Sequence, residues 1–462
     1  MPNLEDILKK AEAVSKFAEV RYHKNVRSSI ELVNGSLVSV EDRKTSGFSL
    51  RYFRDGVIYF QASSSIDDLN PFSARLRGWE EGYVEGRSII KEYEVKQKIN
   101  FSDISLDEKI KILKEIYKDA ISLKLKGNLI SLSLSYLESI EEKEYLNSEG
   151  SRVKSRVPRI WFYFSFVIKN GDRTATVWSD DLGASGGFEL LQEWNVREYV
   201  MNEIIKVDKV LDRARSLSPT LTDVVVSSKI AGIIAHESTG HPFEADRVLG
   251  REAAQAGKSY LSVMKISEIG SNVVNLVDDP TLENSMGFFL VDDEGIEARR
   301  KFLIKEGKVN ELLHNRFTAY KYGVKSNGSS RAMDYESEPI IRMSNTFFLP
   351  SNIKFEELLE GVKKGVYLES YMEWNIDDIR WGQRYVGLKA YEIVNGEIRD
   401  PILFPVLEIT TGELYKAIDA VDNQLRFYAG LCGKGEPMQG VPVWMGGPNM
   451  RLRNVRIKRL GE

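Results

Sequence analysis

Asn-Gly and Asp-Gly dipeptides separate runs of alternating polar and apolar residues, and this pattern constrains the fold more than any other feature. Four of them lie between such runs, at residues 34–35, 55–56, 170–171 and 395–396. Such dipeptides favour tight turns between antiparallel strands. We therefore predict an antiparallel meander over residues 18–64, and further strands joined by turns over 129–180 and 385–410.

Helical stretches are predicted over residues 3–18, 105–124 and roughly 187–216. Together with the strands they give an α+β pattern. The chain has 462 residues, a length that favours two domains and allows three, and the stretch Ser216-Leu217-Ser218-Pro219 marks the predicted boundary. We predict an N-terminal α+β domain over 1–218. A mostly antiparallel β-rich domain follows over 219–462, in which the strand TDVVV leads into a short helix.

Charge and hydropathy exclude several classes of protein. The formal net charge is −4, so no overall basic field attracts nucleic acid or anionic lipid. The first twenty residues read as an acidic amphipathic helix and not as a signal peptide, and no apolar run approaches the length of a membrane span. We expect a cytoplasmic protein that binds neither nucleic acid nor membranes.

The segment AHESTGHPF, residues 235–243, holds two of the chain's four histidines. The familiar metallohydrolase helix carries HExxH, whose histidines share one helix face, with the glutamate as general base. Here His236 and His241 are five positions apart, about 140° around a regular helix, and do not easily share one ion. Glu237 nevertheless lies where a base is expected. The alternative is a helix C-terminus with a nearby histidine, which needs no metal.

The local sequence offers two ways to relieve this mismatch. His241 precedes Pro242, and the residue before a proline is disfavoured in the α region, so the helix is predicted to end at Gly240 or His241. A π-bulge would have the same effect. Pro242 can then open a second helix, with Glu244 and Asp246 either in an acidic first turn or as partners of ligating imidazoles.

Cys432 is the only cysteine, which excludes an intramolecular disulfide. Its surroundings, AGLCGKGEPMQG, are rich in glycine and predict a loop, not an apolar core. Two histidines are one ligand short of a usual catalytic zinc site, and a thiolate suits zinc. Cys432 is therefore the candidate third ligand.

The windows HESTGHPFEAD and GLCGKG together resemble the TldD/PmbA family of metalloproteases, on the TldD side, whose pattern is HExxxH followed much later by GxC. The stretches FFLVDDEGIEARRKFLIKEGKV, SNGSSRAMDYESEPIIRMSNTFF and GKGEPMQGVPVWMGGPNMRLRNVRI are similar to the same family, as is the N-terminal meander. The resemblance covers nearly the whole chain. Pro242 is a departure, because a small residue often follows the second histidine in the family.

The resemblance implies one divalent metal ion, usually zinc, held by His236, His241 and Cys432, with Glu237 as general base. It implies hydrolysis of small or unfolded peptides, which strand addition would hold in extended form. It also implies a heterodimer with a TldE/PmbA-like paralogue that lacks the metal motif; a homodimer is the alternative. Two rival functions stay open: a non-catalytic peptide-binding or interaction subunit of the same fold, and a structural metal closed by a fourth ligand.

Four further polar features carry weaker expectations. The acidic stretch DDEG, residues 292–295, predicts a hairpin turn. Arg331 is expected to be solvated, with binding of a peptide carboxylate as the alternative. His23 and His314 are expected to be surface or structural residues and not ligands.

Overall fold

The computed structural model describes residues 4–72, 76–80, 82–251, 259–435 and 437–461. The fold is α+β, as predicted from the sequence. The helices are α1 Leu4–Glu12, α2 Leu106–Ser122, α3 Glu189–Glu193, α4 Val196–Arg213, α5 Ser228–Ala235, α6 Ala245–Val248, α7 Tyr260–Met264, α8 Arg316–Tyr322, α9 Phe355–Glu360 and α10 Thr411–Ala417.

The first half of the chain forms one large sheet. Its strands are β1 Phe17–Val33, β2 Ser36–Arg54, β3 Val57–Ser63, β4 Leu76–Glu80, β5 Ile90–Glu94, β6 Asn128–Asn147, β7 Arg152–Asn170 and β8 Arg173–Ser185. They lie in the order β4-β3-β2-β1-β6-β7-β5, and β8 pairs with β7. Neighbours are antiparallel except β5 and β7. The predicted meander is confirmed: Asn34, Gly35, Asp55 and Gly56 all have positive φ, as the tight hairpin turns between β1, β2 and β3 require.

Helices α2 and α4 pack against this sheet and form a core with Phe162 and Phe164 of β7. Helix α2 begins where predicted, at a capping box in which the Ser105 side chain accepts from the Glu108 amide. Two predicted helices differ from the structure. The first, predicted from Asn3, which lies outside the described residues, ends at Glu12, because the chain enters β1 five residues later. The helix predicted over 187–216 is two helices, α3 and α4.

The second half contains two larger sheets and a short ribbon. The nine-stranded sheet comprises β9 Thr220–Val226, β16 Lys364–Leu368, β17 Tyr371–Ile376, β18 Gly382–Gly387, β19 Ala390–Val394, β20 Glu397–Pro401, β21 Pro405–Thr410, β22 Ile418–Val421 and β25 Met450–Arg459. The six-stranded sheet comprises β10 Leu276–Asp278, β11 Lys301–Lys305, β12 Lys308–Val309, β15 Asn345–Phe348, β23 Arg426–Lys434 and β24 Gln439–Gly447. The ribbon pairs β13 Ser330–Arg331 with β14 Ile340–Ile341. Pairing is mostly antiparallel; β9 with β16 and β15 with β24 are the parallel pairs among the described strands of this half.

From Ile230 onwards helix α5 has only apolar residues and is buried against both larger sheets. Gly232 is what permits its approach to β24. A Cβ at this position would lie 3.1 Å from the backbone nitrogen of Gly446 and from the carbonyl of Met445. Backbone atoms cannot give way easily, so a larger residue would push the helix off the sheet. None of the described helices is long and apolar enough to cross a membrane.

Candidate metal centre

The segment that carries both histidines continues α5 as a single π-helical turn, His236–Gly240. The amide of His241 donates to the carbonyl of His236 over 3.1 Å, a bond that spans five residues instead of four. The wider turn absorbs the extra residue of HExxxH and brings the two rings to a centroid separation of 5.0 Å. Both expectations from the sequence are met, because the turn is π-helical and it ends at Gly240, one of the two predicted helix ends. The prediction that Pro242 opens a second helix is wrong. The next helix, α6, begins three residues later at Ala245.

Cys432 lies in strand β23, not in the predicted loop. It pairs with Val441 of β24, and 4% of the residue is exposed. Of the two nearby glycines, Gly430 is closely packed, because a Cβ there would lie 2.9 Å from the Met445 side chain, whereas Gly433 has room for one. The loop was predicted from glycine-rich composition, but a strand can have the same composition. Here the close approach of the Met445 side chain explains Gly430.

The strand brings Cys432 to the two histidines. One donor atom from each of His236, His241 and Cys432 lies within 4.8 Å of the others, and all three residues are buried. The Cys432 sulfur is 3.3 Å from Nε2 of His241. Nδ1 of His236 is buried without a hydrogen-bond partner in the described structure. Two imidazoles and a thiolate at one point suit a metal such as zinc. Within the described ranges no fourth His, Cys, Asp or Glu joins the group.

The charges around this group favour the metal-binding form of the thiol. Burial alone would raise the pKa of Cys432, but His241, His236 and Arg342 outweigh it and hold that pKa well below its usual range. The thiolate is the form of cysteine that binds metals. For His241, burial is likewise outweighed by Cys432 and Glu244, which raise the pKa to about 9.

Glu244 and Asp246 have different roles. Oε2 of Glu244 lies 3.2 Å from Nδ1 of His241, so Glu244 is a partner of the imidazole. Burial would raise the Glu244 pKa, but Lys434 and His241 lower it to about 2. Asp246 instead accepts a hydrogen bond of 2.7 Å from Lys434. Lys434 follows Cys432 by two residues on β23 and so shares its side of the strand. The sequence did not predict that Lys434 lies on the same side as Cys432, because side chains alternate in a strand and a loop was expected here.

Glu237 is held by an arginine that the sequence did not single out. Nη1 of Arg380 donates to Oε2 of Glu237 over 2.6 Å, across 143 positions of sequence. Glu237 is 7% exposed and neighbours the buried Tyr385. Arg380 belongs to the short loop between β17 and β18, and no periodicity or motif connects that loop with HESTGH. The sequence contained no signal for this pair.

Arg331 is buried, which corrects the expectation that it is solvated. Its guanidinium donates to the carbonyls of Met343 and Pro442, each over 2.9 Å, and lies over the Phe289 ring. Burial lowers the Arg331 pKa to about 10. Because β13 is an internal ribbon and not a loop, the side chain braces the backbone of β24 and of the segment before β15.

The stretch 292–295 forms the predicted turn, with Val291 bridged to Glu297, but its three acids are buried. Glu294 lies 2.6 Å from Arg51 of β2, and Asp293 lies 3.0 Å from Lys143 of β6. His23 and His314 were expected to be either surface or structural residues, and they are structural. Both are buried, and His23 lies 3.1 Å from Glu141.

Family models match most of the chain in three consecutive segments. These are described as PmbA/TldA metallopeptidase domain 1, central domain and C-terminal domain, and match residues 18–77, 99–218 and 219–459. The chain belongs to the TldD/PmbA family. The resemblance seen in the sequence is thereby confirmed.

Full-length relatives of this TldD/PmbA protein are named as metalloproteases. One from Methanothermobacter thermautotrophicus, named metalloprotease, is 28% identical over 98% of each chain. Another, from Saccharolobus solfataricus, named zinc metalloprotease TldD homolog, is 24% identical over 97% of this chain and 98% of its own.

Solved structures share the fold. A Thermotoga maritima protein described as a candidate modulator of a DNA gyrase superposes with a TM-score of 0.77 at 19% identity, over 98% of this chain and 100% of its own. TldE from Thermococcus kodakarensis gives a TM-score of 0.72 at 16% identity, over 98% and 99%.

Proposed function

We propose that the chain is a metal-dependent peptidase in which His236, His241 and Cys432 hold one divalent metal ion, most simply zinc, and Glu237 is the general base. The observation that carries the proposal is the convergence of three donors beside a buried carboxylate, with no fourth ligand among the described residues. A catalytic zinc site takes three protein ligands and keeps a position for water or substrate, whereas a structural site is closed by a fourth.

The residues divide the chemistry between them. A metal ion bound here would lower the pKa of a water molecule and polarise the scissile carbonyl. Glu237 would take the proton of the attacking water and deliver it to the leaving amine. Glu244 orients His241 through Nδ1, and Lys434 in turn holds Glu244, with a nitrogen–oxygen distance of 3.4 Å. Such outer partners fix ligand geometry and tune the affinity for the metal.

The proposed substrates are small or unfolded peptides, and the proposed location is the cytoplasm. The fold shared with a TldE supports pairing with a TldE/PmbA-like paralogue, and a homodimer is the alternative arrangement. A non-catalytic peptide-binding or interaction subunit with a structural metal is the second candidate function. It is disfavoured because this chain carries all three donors and the base together.

The test compares wild type with Glu237→Gln, each loaded with zinc, alone and co-expressed with a TldE-like paralogue. Cleavage of a quenched-peptide library and of an unfolded protein is followed by mass spectrometry. We expect Glu237→Gln to retain its metal and to lose about 10²- to 10⁴-fold in kcat/KM. Glu413→Gln, at the exposed cap of α10, is the control. Undiminished cleavage by Glu237→Gln would remove the proposed base. Peptide binding without turnover by fully loaded wild type would favour the non-catalytic subunit.

A further inference from the structure

The loop between β17 and β18 delivers one arginine to the proposed base. Arg380 contacts Glu237 through a single hydrogen bond, from Nη1 to Oε2, at 2.6 Å. The arginine side chain is 19% exposed and the glutamate side chain 9%, so the pair lies at the boundary between core and solvent. Within the described part of the chain, Oε1 of Glu237 accepts no hydrogen bond. One carboxylate oxygen is thus fixed and the other is left for a proton transfer.

The backbone at Arg380 is in the left-handed region, with φ of 65°. Glycine adopts this conformation without strain, whereas a side chain with a Cβ does not. Strained residues persist where the surroundings determine their conformation, and they cluster at functional sites. An arginine at a position suited to glycine is therefore evidence that its side chain has a use.

The surroundings of the loop do determine that conformation. The Asp377 carboxylate accepts the amides of Trp381 and Gly382, each over 2.7 Å. Thr411, the first residue of α10, donates its hydroxyl to the carbonyl of Arg380 over 2.9 Å. The amide of Tyr260 in α7 donates to the carbonyl of Ile379 over 3.0 Å. These bonds tie the loop to α7 and α10 and hold the backbone of Arg380 in place.

We propose that Arg380 is a positioning residue of the reaction site, which fixes the Glu237 carboxylate by Oε2 so that Oε1 is presented to the attacking water. The inference rests on the proposed function, because it gives Arg380 its role through the base. It assigns the loop 377–381, which carries Arg380, to the site. Small misplacements of a catalytic group reduce the rate strongly, so a group that fixes the base acts on kcat.

The kinetic test uses Arg380→Gln, Arg380→Lys and the control Arg384→Gln, all zinc-loaded. Arg384 belongs to the same hairpin and pairs with Glu373 over 2.6 Å, away from the base. We expect Arg380→Gln to lower kcat about 10- to 100-fold with KM nearly unchanged. Lysine can supply the single donor, so Arg380→Lys should recover most of kcat. Arg384→Gln should match wild type. Wild-type kcat in Arg380→Gln would overturn the proposal.

A second readout does not require activity. Crystal structures of metal-free wild type and Arg380→Gln should show the Glu237 carboxylate in one conformation in the wild type and displaced or split in the variant. An unmoved carboxylate would overturn the positioning role. If wild type cleaves no peptide and yet Glu237 moves in the variant, the peptidase proposal fails while the contact to Glu237 stands. If wild type cleaves peptides and neither kcat nor Glu237 changes in the variant, the arginine proposal alone fails.

Discussion

Nδ1 of His241 lies 3.2 Å from Oε2 of Glu244, which leaves Nε2 of the same ring facing the Cys432 sulfur at 3.3 Å. The carboxylate thus determines which nitrogen is available as a ligand. Lys434, which follows Cys432 on β23, holds the other oxygen of the carboxylate at 3.4 Å. One strand therefore supplies both the thiolate and the cation that supports the imidazole.

Glu244→Gln should weaken metal binding without abolishing the fold. Glutamine keeps the shape but loses the charge that orients His241 and increases its basicity. Loss of such a partner typically costs about 10- to 100-fold in affinity. Competition with a zinc-binding dye measures the effect. Glu413→Gln is the control, and a wild-type zinc affinity in Glu244→Gln would contradict this role.

Gly232→Ala should destabilise the protein. The new Cβ would meet the backbone of Met445 and Gly446 at 3.1 Å and force α5 away from β24. Overpacking of this kind costs about 1–3 kcal/mol in the free energy of unfolding. Urea denaturation of the metal-free protein measures it. Gly433→Ala is the matched control, because its Cβ would meet only the Met438 sulfur, at 3.5 Å. Equal stability of both variants would show that a Cβ at position 232 fits between α5 and β24.

Stability should fall as the pH drops from about 6.5 towards 4, in part because of His314. Burial, opposed by Glu311 and Asp246, lowers the His314 pKa to about 4, whereas a histidine in an unfolded chain titrates near 6.5. Between these values the unfolded state binds more protons, so the stability present above pH 6.5 is progressively lost. The loss attributable to this residue is at most about 3 kcal/mol. Denaturation midpoints of wild type and His314→Gln across this range isolate it, and parallel curves would contradict it.

Glu294→Gln should break the ionic junction between the acidic turn and the first sheet. Glu294 is 1% exposed, and its two oxygens meet Arg51 and the amide of Arg316. Removing one partner of a buried pair costs about 3–5 kcal/mol. Thermal unfolding measures the change. Glu193→Gln, in an exposed pair with Lys98, should leave the midpoint unmoved. A similarly small shift in Glu294→Gln would mean that the junction adds no stability.

The fold was predictable where local chemistry determines it. The Asn-Gly and Asp-Gly turns at 34–35 and 55–56 require positive φ, and the meander between them followed from that requirement. The π turn was also within reach, because a fourth residue between two converging ligands, where HExxH has three, leaves few arrangements. By contrast, the prediction of a loop at Cys432 was wrong, because a glycine packed against a neighbouring side chain, such as Gly430, looks the same in sequence as a glycine required by a loop.

The candidate site was predictable only as far as its motifs extend. His236, Glu237 and His241 lie in one window, and Cys432 was a candidate third ligand because a thiolate suits zinc, a choice that the family pattern then supported. Arg380 comes from a loop 143 positions away, so only the folded chain brings it to Glu237. The burial of Arg331 likewise depends on carbonyls of two distant segments. Contacts set by tertiary packing leave no periodic trace in the sequence.

The central claim, that three residues hold one metal ion, is tested most directly by zinc content after dialysis. Wild type and Leu431→Ser, in which the exposed neighbour of Cys432 is changed, should each retain about one zinc per chain. Cys432→Ser should retain far less, because the thiolate is replaced by a neutral hydroxyl. Full zinc content at wild-type affinity in Cys432→Ser would contradict the account.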